Sequence, residues 1–222
     1  MSLPYIRSLD LDKDIIWNFQ DKNVDIHINK KKVKKYGVIY VEIGGNPACV
    51  DIIVFKDTEI VSLDGLRNSN QCIEGLSGRG SGTFLLRLAK DISNNLLSAK
   101  GIKLQDSSHF YCNDAYLDLS LYSFLTTGDT WYARNGFLPL LPEERQRYLE
   151  DREILRRMEV SDLSDKLRVN LHGDSIINAM SLITCDKFEE IGKDLLVELG
   201  ITPIRLKGET FGETYGDWAF LF

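Results

Sequence analysis

The chain has 222 residues, 43% of them hydrophobic, which is enough to build one enlarged domain around a substantial core. A formal net charge of -6 disfavours a nucleic-acid partner, and no apolar run approaches the roughly 18 residues of a membrane-spanning helix. The opening Met1-Ser2-Leu3-Pro4 leads into charged sequence and not into a signal-peptide apolar stretch, so a cytoplasmic protein without a membrane partner is expected.

In chain order, Val24, Ile26 and Ile28 alternate with Asp25, His27 and Asn29, the period of a half-buried strand. Lys30, Lys31, Lys32, Lys34 and Lys35 then read as a solvated turn. Three β-rich stretches follow, at Gly37–Ile43, Cys49–Phe55 and Thr58–Leu63, separated by Gly44-Gly45-Asn46-Pro47 and Lys56-Asp57. Together they predict a β-meander.

From Thr83 the apolar period becomes helical, through Phe84, Leu85, Leu88, Ile92 and Leu96. A short strand is expected over Ile102–Asp106 and a loop over Ser107–Asn113. A second helix carries Leu117, Leu121, Phe124 and Leu125, and Thr127-Gly128-Asp129 interrupts its pattern. Pro142 suits the first position of another helix. In the helix Asp186–Leu199, Asp186 and Glu189 form a capping box and Gly200 is the left-handed residue after the end. Asp217–Phe222 reads as a terminal strand that pairs with Phe137–Leu140. The four cysteines, Cys49, Cys72, Cys112 and Cys185, lack CxxC spacing, so free thiols are expected, with neither a zinc site nor a disulfide framework.

The stretch Leu76-Ser77-Gly78-Arg79-Gly80-Ser81-Gly82-Thr83 places glycine at alternate positions immediately before a long helix. Such a loop can turn successive N–H groups toward an anion at the positive end of the helix dipole. An ATP-type phosphate loop would need Lys where Ser81 stands, and a dinucleotide fingerprint would need glycine at Thr83 or Leu85. Asp106 does mimic the ribose-binding acid of dinucleotide folds, which keeps an oxidoreductase as a third reading.

Gly78–Leu86 resembles the Arg/Gln-x-x-Gly-x-Gly/Ala pyrophosphate loop of GNAT acetyltransferases, with Ser77 standing at the Arg/Gln position. Trp131-Tyr132-Ala133-Arg134-Asn135-Gly136-Phe137 resembles the Phe-Tyr-x-x-x-Gly-Phe segment of the same superfamily. The two motifs cover about the middle third of the chain; Leu125 and Gly128 depart from the family's Asn and Ala. The Lys-, Asn- and Ile-leaning composition is similar to GNAT-like proteins of large DNA viruses.

The resemblance implies an α+β fold with a central, mixed but mostly antiparallel sheet flanked by helices and a C-terminal helical insertion. It implies a core over 1–140, a helical insertion or cap over 141–211, and a terminal strand over 212–222. Acetyl-CoA is the implied cosubstrate, held by Leu76, Ser77, Gly78, Arg79, Gly80, Ser81, Gly82 and Thr83, and no metal is needed. Tyr132 would protonate the departing thiolate while an amine attacks. Asp64, after an apolar strand, is the first candidate base, ahead of Glu74 and Asp106. His109 and His172 read as structural or solvated. The acceptor is a small-molecule or peptide amine, and a homodimer fits the helical addition. The competing reading is a non-catalytic, CoA-binding or assembly module.

Overall fold

A computed structural model describes residues 13–29, 38–45, 47–55, 58–67, 73–76, 80–112, 115–160, 173–201 and 210–222. Ser77, Gly78 and Arg79 of the glycine loop, the lysine run from Lys30, Cys72 and His172 lie outside them. The fold is mixed α+β with a mostly antiparallel sheet flanked by helices. Among the described residues no helix is long and apolar enough to cross a membrane. The chain forms two compact units, one running to Leu104 and including Ala219–Phe222, the other running from Gln105 to Trp218.

In the first unit, β1 (Lys13–Phe19), β2 (Lys22–Asn29), β3 (Val38–Ile43), β4 (Val50–Phe55) and β5 (Ile60–Leu66) make the expected antiparallel meander, with β1 added at its start. Alternation sets their faces: Val24, Ile26, Ile28, Val41, Ile52, Val54, Val61 and Leu63 are buried. Helix α1 (Ser81–Asp91) covers β4 and β5 with Leu85, Leu88 and Ala89 among its buried residues. It runs on into a π-helical turn, Ile92–Leu96, before β6 (Gly101–Gln105). β6 lies parallel to β5, pairing Ile60 with Gly101 and Val61 with Ile102. A parallel neighbour demands a crossover connection, which α1 supplies. β10 (Asp217–Leu221) is the strand beyond β6, where Phe222 N donates to Lys100 O at 3.0 Å.

The second unit begins with a hairpin, β7 (His109–Cys112) and β8 (Ala115–Asp118), where a loop was expected. Helix α2 (Leu119–Thr127) ends at Gly128, whose φ of +76° is the left-handed conformation of a helix stop. The interruption read in the sequence is therefore a true break, and α3 (Trp131–Arg134) starts anew with Thr130 as its cap. After β9 (Leu138–Pro139), Leu140 N donates to Asp217 O at 2.7 Å, so the expected pairing of these two segments is present.

Helices α4 (Pro142–Arg157), α5 (Ile176–Ser181) and α6 (Cys185–Glu198) follow. Pro142 opens α4 with Glu143 and Glu144 in its first turn and Arg156 and Arg157 in its last, complementing the helix dipole at both ends. Asp129 fixes α4 across the α2–α3 break: it takes Tyr148 Oη at 2.8 Å, Arg152 Nη1 at 3.2 Å and Arg156 Nη2 at 2.9 Å. Phe124, Tyr148, Phe211, Tyr215 and Trp218 form one aromatic core.

Two local expectations are corrected. Helix α6 starts one residue before Asp186, at Cys185, and its cap Thr184 accepts no helix N–H through its side chain, bonding the Asp186 carboxylate instead, so the expected capping box is absent; Gly200, at φ +70°, does close the helix. The described cysteines are not free thiols: Cys112 of β7 is bonded to Cys185 at the first turn of α6, and Cys49 is also disulfide-bonded. Sequence spacing could not reveal this, because the partners are 73 residues apart and meet only when α6 packs on β8.

Candidate functional site

The glycine-rich segment enters α1 through Gly80, whose φ of +95° is a conformation that glycine adopts without strain. Among the described residues nothing lies within 4 Å of the position a Cβ would occupy there. The helix start has no acidic residue in its first turn, so its positive dipole end is suited to an anion. Leu76 and Ser81 are buried, while Gly82 and Thr83 are half-buried.

Asp64 is exposed on β5, and the strand register explains its position. Ile52 pairs with Leu63 and Asp51 with Gly65, so Asp64 is the extra residue of a β-bulge. A bulge leaves backbone groups outside the ladder and redirects side chains, and such irregularities gather beside active sites. Around Asp64 the outer face of the meander is acidic. Burial raises the Asp51 carboxyl above its ordinary range, Glu42 and Asp64 add to that, and Arg67 at 2.8 Å opposes it. The register sets His27 opposite Asp14 and Glu42 opposite both His27 and Asp51. His27 Nδ1 lies 2.7 Å from Asp14 Oδ1, and a cavity of about 570 Å³ opens over Asp14, Asp25, His27 and Glu42. Alternation along Val24–Ile28 places Asp25 and His27 outward, but their neighbours across the sheet depend on register and escape a reading of sequence.

In the second unit, Tyr132 of α3 is 6% exposed, with Trp131 and Phe137 rings 4.8 and 5.7 Å from its own. Burial, and after it the nearby Asp106 carboxylate, push its phenol well above the ordinary tyrosine range, so the proton is firmly held at neutral pH.

Asp106, just past β6, has no exposed surface and so cannot meet an acceptor amine as a base. Its carboxylate accepts hydrogen bonds from Ser108 Oγ at 2.6 Å and from Ser120 Oγ, and its main-chain oxygen accepts one from Thr210 Oγ1. Asp118 works beside it, capping α2 through Ser120 N at 2.8 Å and Leu121 N at 3.0 Å while accepting from Phe211 N. Through the Asp106 main-chain oxygen and the Asp118 carboxylate, the two aspartates thereby clamp Thr210 and Phe211 to the start of α2.

Burial is also the main reason that the Asp106 pKa rises to about 6, against the opposing bonds from Ser108 and Ser120. Because this folded value lies above the ordinary 3.8, the folded state binds the proton more tightly, and stability falls as pH rises from about 4 to about 6. Asp118 and Asp151 shift in the same direction. Urea unfolding should give a protein about 2 kcal/mol more stable at pH 4.5 than at pH 7, and Asp106→Asn should flatten that difference. Equal stability at both values, or an unchanged difference in the variant, would remove Asp106 as the cause.

Glu74 is exposed, its carbonyl taking Lys22 Nζ at 3.1 Å. His109 stacks on Tyr116 at 4.5 Å with Nδ1 against Ser107 O, a structural use of the ring. Among the described residues no group of three or more His, Cys, Asp or Glu could hold a metal. Gly80–Thr83 and Asp64 thus belong to one β5–α1–β6 element, and Tyr132 to the other unit beside Asp106. Compared with family models, curated proteins and solved structures, the chain matches none.

Proposed function

We propose that the chain is an acyl-CoA-binding protein, with the cosubstrate's pyrophosphate held at the start of α1. The observation that carries this reading is the β5–α1–β6 crossover: a parallel step, entered through a bulged strand and a glycine-rich loop, after an antiparallel meander. The acid-free helix start and its positive dipole end fit a diphosphate.

More specifically, the protein is read as a GNAT-type N-acetyltransferase that moves an acetyl group from acetyl-CoA to a primary amine by direct attack. Acetyl-CoA supplies the activated thioester carbonyl. Leu76 to Thr83 hold it, chiefly through backbone N–H groups of the glycine-rich segment. Asp64 accepts the proton that the attacking amine sheds, and Tyr132 donates one to the departing sulfur. The net charge of -6 and the acidic outer face of the meander favour a cationic acceptor over an anionic one. The burial of Tyr132 favours one alternative, a non-catalytic CoA-binding module in which the ring only packs.

Incubation of the protein with acetyl-CoA and a panel of amino sugars, polyamines, small amines and lysine peptides, read by mass spectrometry, tests the activity. Calorimetric titration with CoA tests the binding separately. Micromolar CoA binding with no acetylated product would select the module; no CoA binding together with NADH binding would select the oxidoreductase.

A further inference from the structure

The β7–β8 hairpin is fastened to the rest of the second unit at both its ends. At its base Leu119 N donates to Ser108 O at 3.0 Å, Ser108 Oγ donates to the Asp106 carboxylate at 2.6 Å, and Asp118 caps α2. Near its tip Cys112, the last residue of β7, is bonded to Cys185, the first residue of α6. Ring contacts run between the two ends, with Phe110 5.0 Å from Tyr122 and Tyr122 4.8 Å from Phe188 of α6. Exposure alternates along β7, so that Phe110 and Cys112 share the face turned to α6 while His109 and Tyr111 face away.

Cys112 and Cys185 are both half-buried, and Tyr111 beside Cys112 is 78% exposed, so this disulfide sits at the surface of its unit. Cys49, the other described disulfide cysteine, has no exposed surface. Exchange requires a thiolate to reach one sulfur while the other departs with negative charge, which makes surface disulfides the labile ones. Cys185 is suited to depart, because it stands at the positive end of the 14-residue α6, where the Thr184 side chain caps no helix N–H. Asp186 of the same turn opposes that effect, but its carboxylate is engaged by Thr184 and by its own N–H, with Lys187 beside it. Cys112 ends a strand, which offers its sulfur no comparable dipole.

We propose that the Cys112–Cys185 disulfide is a thiol-exchange site, opened by a small peptide thiol that becomes bonded to Cys112 and frees Cys185. The incoming thiol gives its proton to solvent and its sulfur forms a bond to Cys112 Sγ. The Sγ–Sγ bond breaks, and its electron pair leaves on Cys185 Sγ, which takes up a proton. Cys185 reverses the step by attacking the mixed disulfide; a second thiol instead removes the first as a thiol dimer and leaves two free cysteines. In both open forms the hairpin tip is released from α6, and a cross-link spanning 73 residues is lost.

The site stands apart from the acetyltransferase reading. The test titrates the native protein with reduced and oxidised glutathione, traps free thiols by alkylation and locates every modified cysteine by peptide mass spectrometry. Cys112–Cys185 should open at a roughly tenfold lower proportion of reduced glutathione than the Cys49 disulfide, whose burial leaves it to local unfolding. In Cys185→Ser, which lacks the resolving thiol, glutathione should stay on Cys112. Opening should raise deuterium uptake across residues 109–118 several-fold while β2 to β5 keep their protection, and Cys112→Ser/Cys185→Ser should show the same pattern without any thiol. The proposal is overturned if Cys112 and Cys185 are free thiols in the purified protein or if the Cys49 disulfide opens at the same glutathione proportion. Glutathione carried on Cys185 in place of Cys112, or deuterium uptake that opening leaves unchanged, overturns it equally.

Discussion

Tyr132→Phe should lower acetyl transfer at least 100-fold while changing CoA affinity less than twofold. The substitution removes one oxygen from a ring that is 6% exposed and packed against Trp131 and Phe137, so the shape of the α3 turn survives it. On the proposed mechanism, what disappears is a proton donor. General acid catalysis contributes roughly 100- to 10,000-fold to a step of this kind. A phenol pushed upward by burial and by Asp106 is a donor that stays fully loaded across the physiological range, at some cost in acidity. The rate should therefore show no loss on the alkaline side attributable to Tyr132 until well above pH 10. Steady-state kinetics beside CoA titration separates the alternatives. Equal turnover in the variant and the parent would leave Tyr132 as a packing residue and would favour the CoA-binding module.

The parts of the fold that could be read from sequence are those where a single period dictates the answer. The alternation of Val24, Ile26 and Ile28 marks a half-buried strand, and the three-and-four spacing from Phe84 marks a helix on a sheet; both are local properties of a face that meets a core. The stops at Gly128 and Gly200 were equally legible, because a left-handed residue is written into the chain as glycine. The β7–β8 hairpin was not. His109 to Cys112 alternates in exposure, but with only four residues per strand its signal is short, and its stability comes from Phe110 on Tyr122 and from Tyr122 on Phe188, a residue of α6. The disulfide to Cys185 is invisible for the same reason. At the candidate site, the glycine segment and Tyr132 carried recognisable motifs, whereas the bulge at Asp64 arises from a register shift against β4. Asp106 stood out in sequence only as a strand-end acid. Its complete burial depends on Thr210 and Gly212, more than a hundred residues away in the chain.

That distant contact makes Gly212→Ala the substitution with the largest expected effect on stability. An added methyl group would lie 2.7 Å from Cβ, Cγ and Oδ2 of Asp106, closer than non-bonded carbon tolerates, and Asp106 has no freedom to yield. Its carboxylate is held by Ser108 and Ser120, and its main-chain oxygen by Thr210. The glycine's own carbonyl is also committed, accepting from Trp218 Nε1 at 2.9 Å at the centre of the aromatic core. Relief must come either from moving the 210–215 segment out of that core or from breaking bonds to a fully buried carboxylate. Overpacking alone costs about 1–3 kcal/mol, and a buried polar group deprived of a partner costs about as much again. We expect a loss of about 3 kcal/mol or more in urea unfolding. Gly200→Ala is the matched control: its φ of +70° brings backbone strain, but among the described residues nothing stands within 4 Å of the new methyl, so about 1 kcal/mol is expected. If both variants lost the same 1 kcal/mol, the clamp formed by Asp106, Asp118, Thr210 and Phe211 would be soft, and the Asp106 carboxyl would be free to move away from Gly212 and from Tyr132 alike.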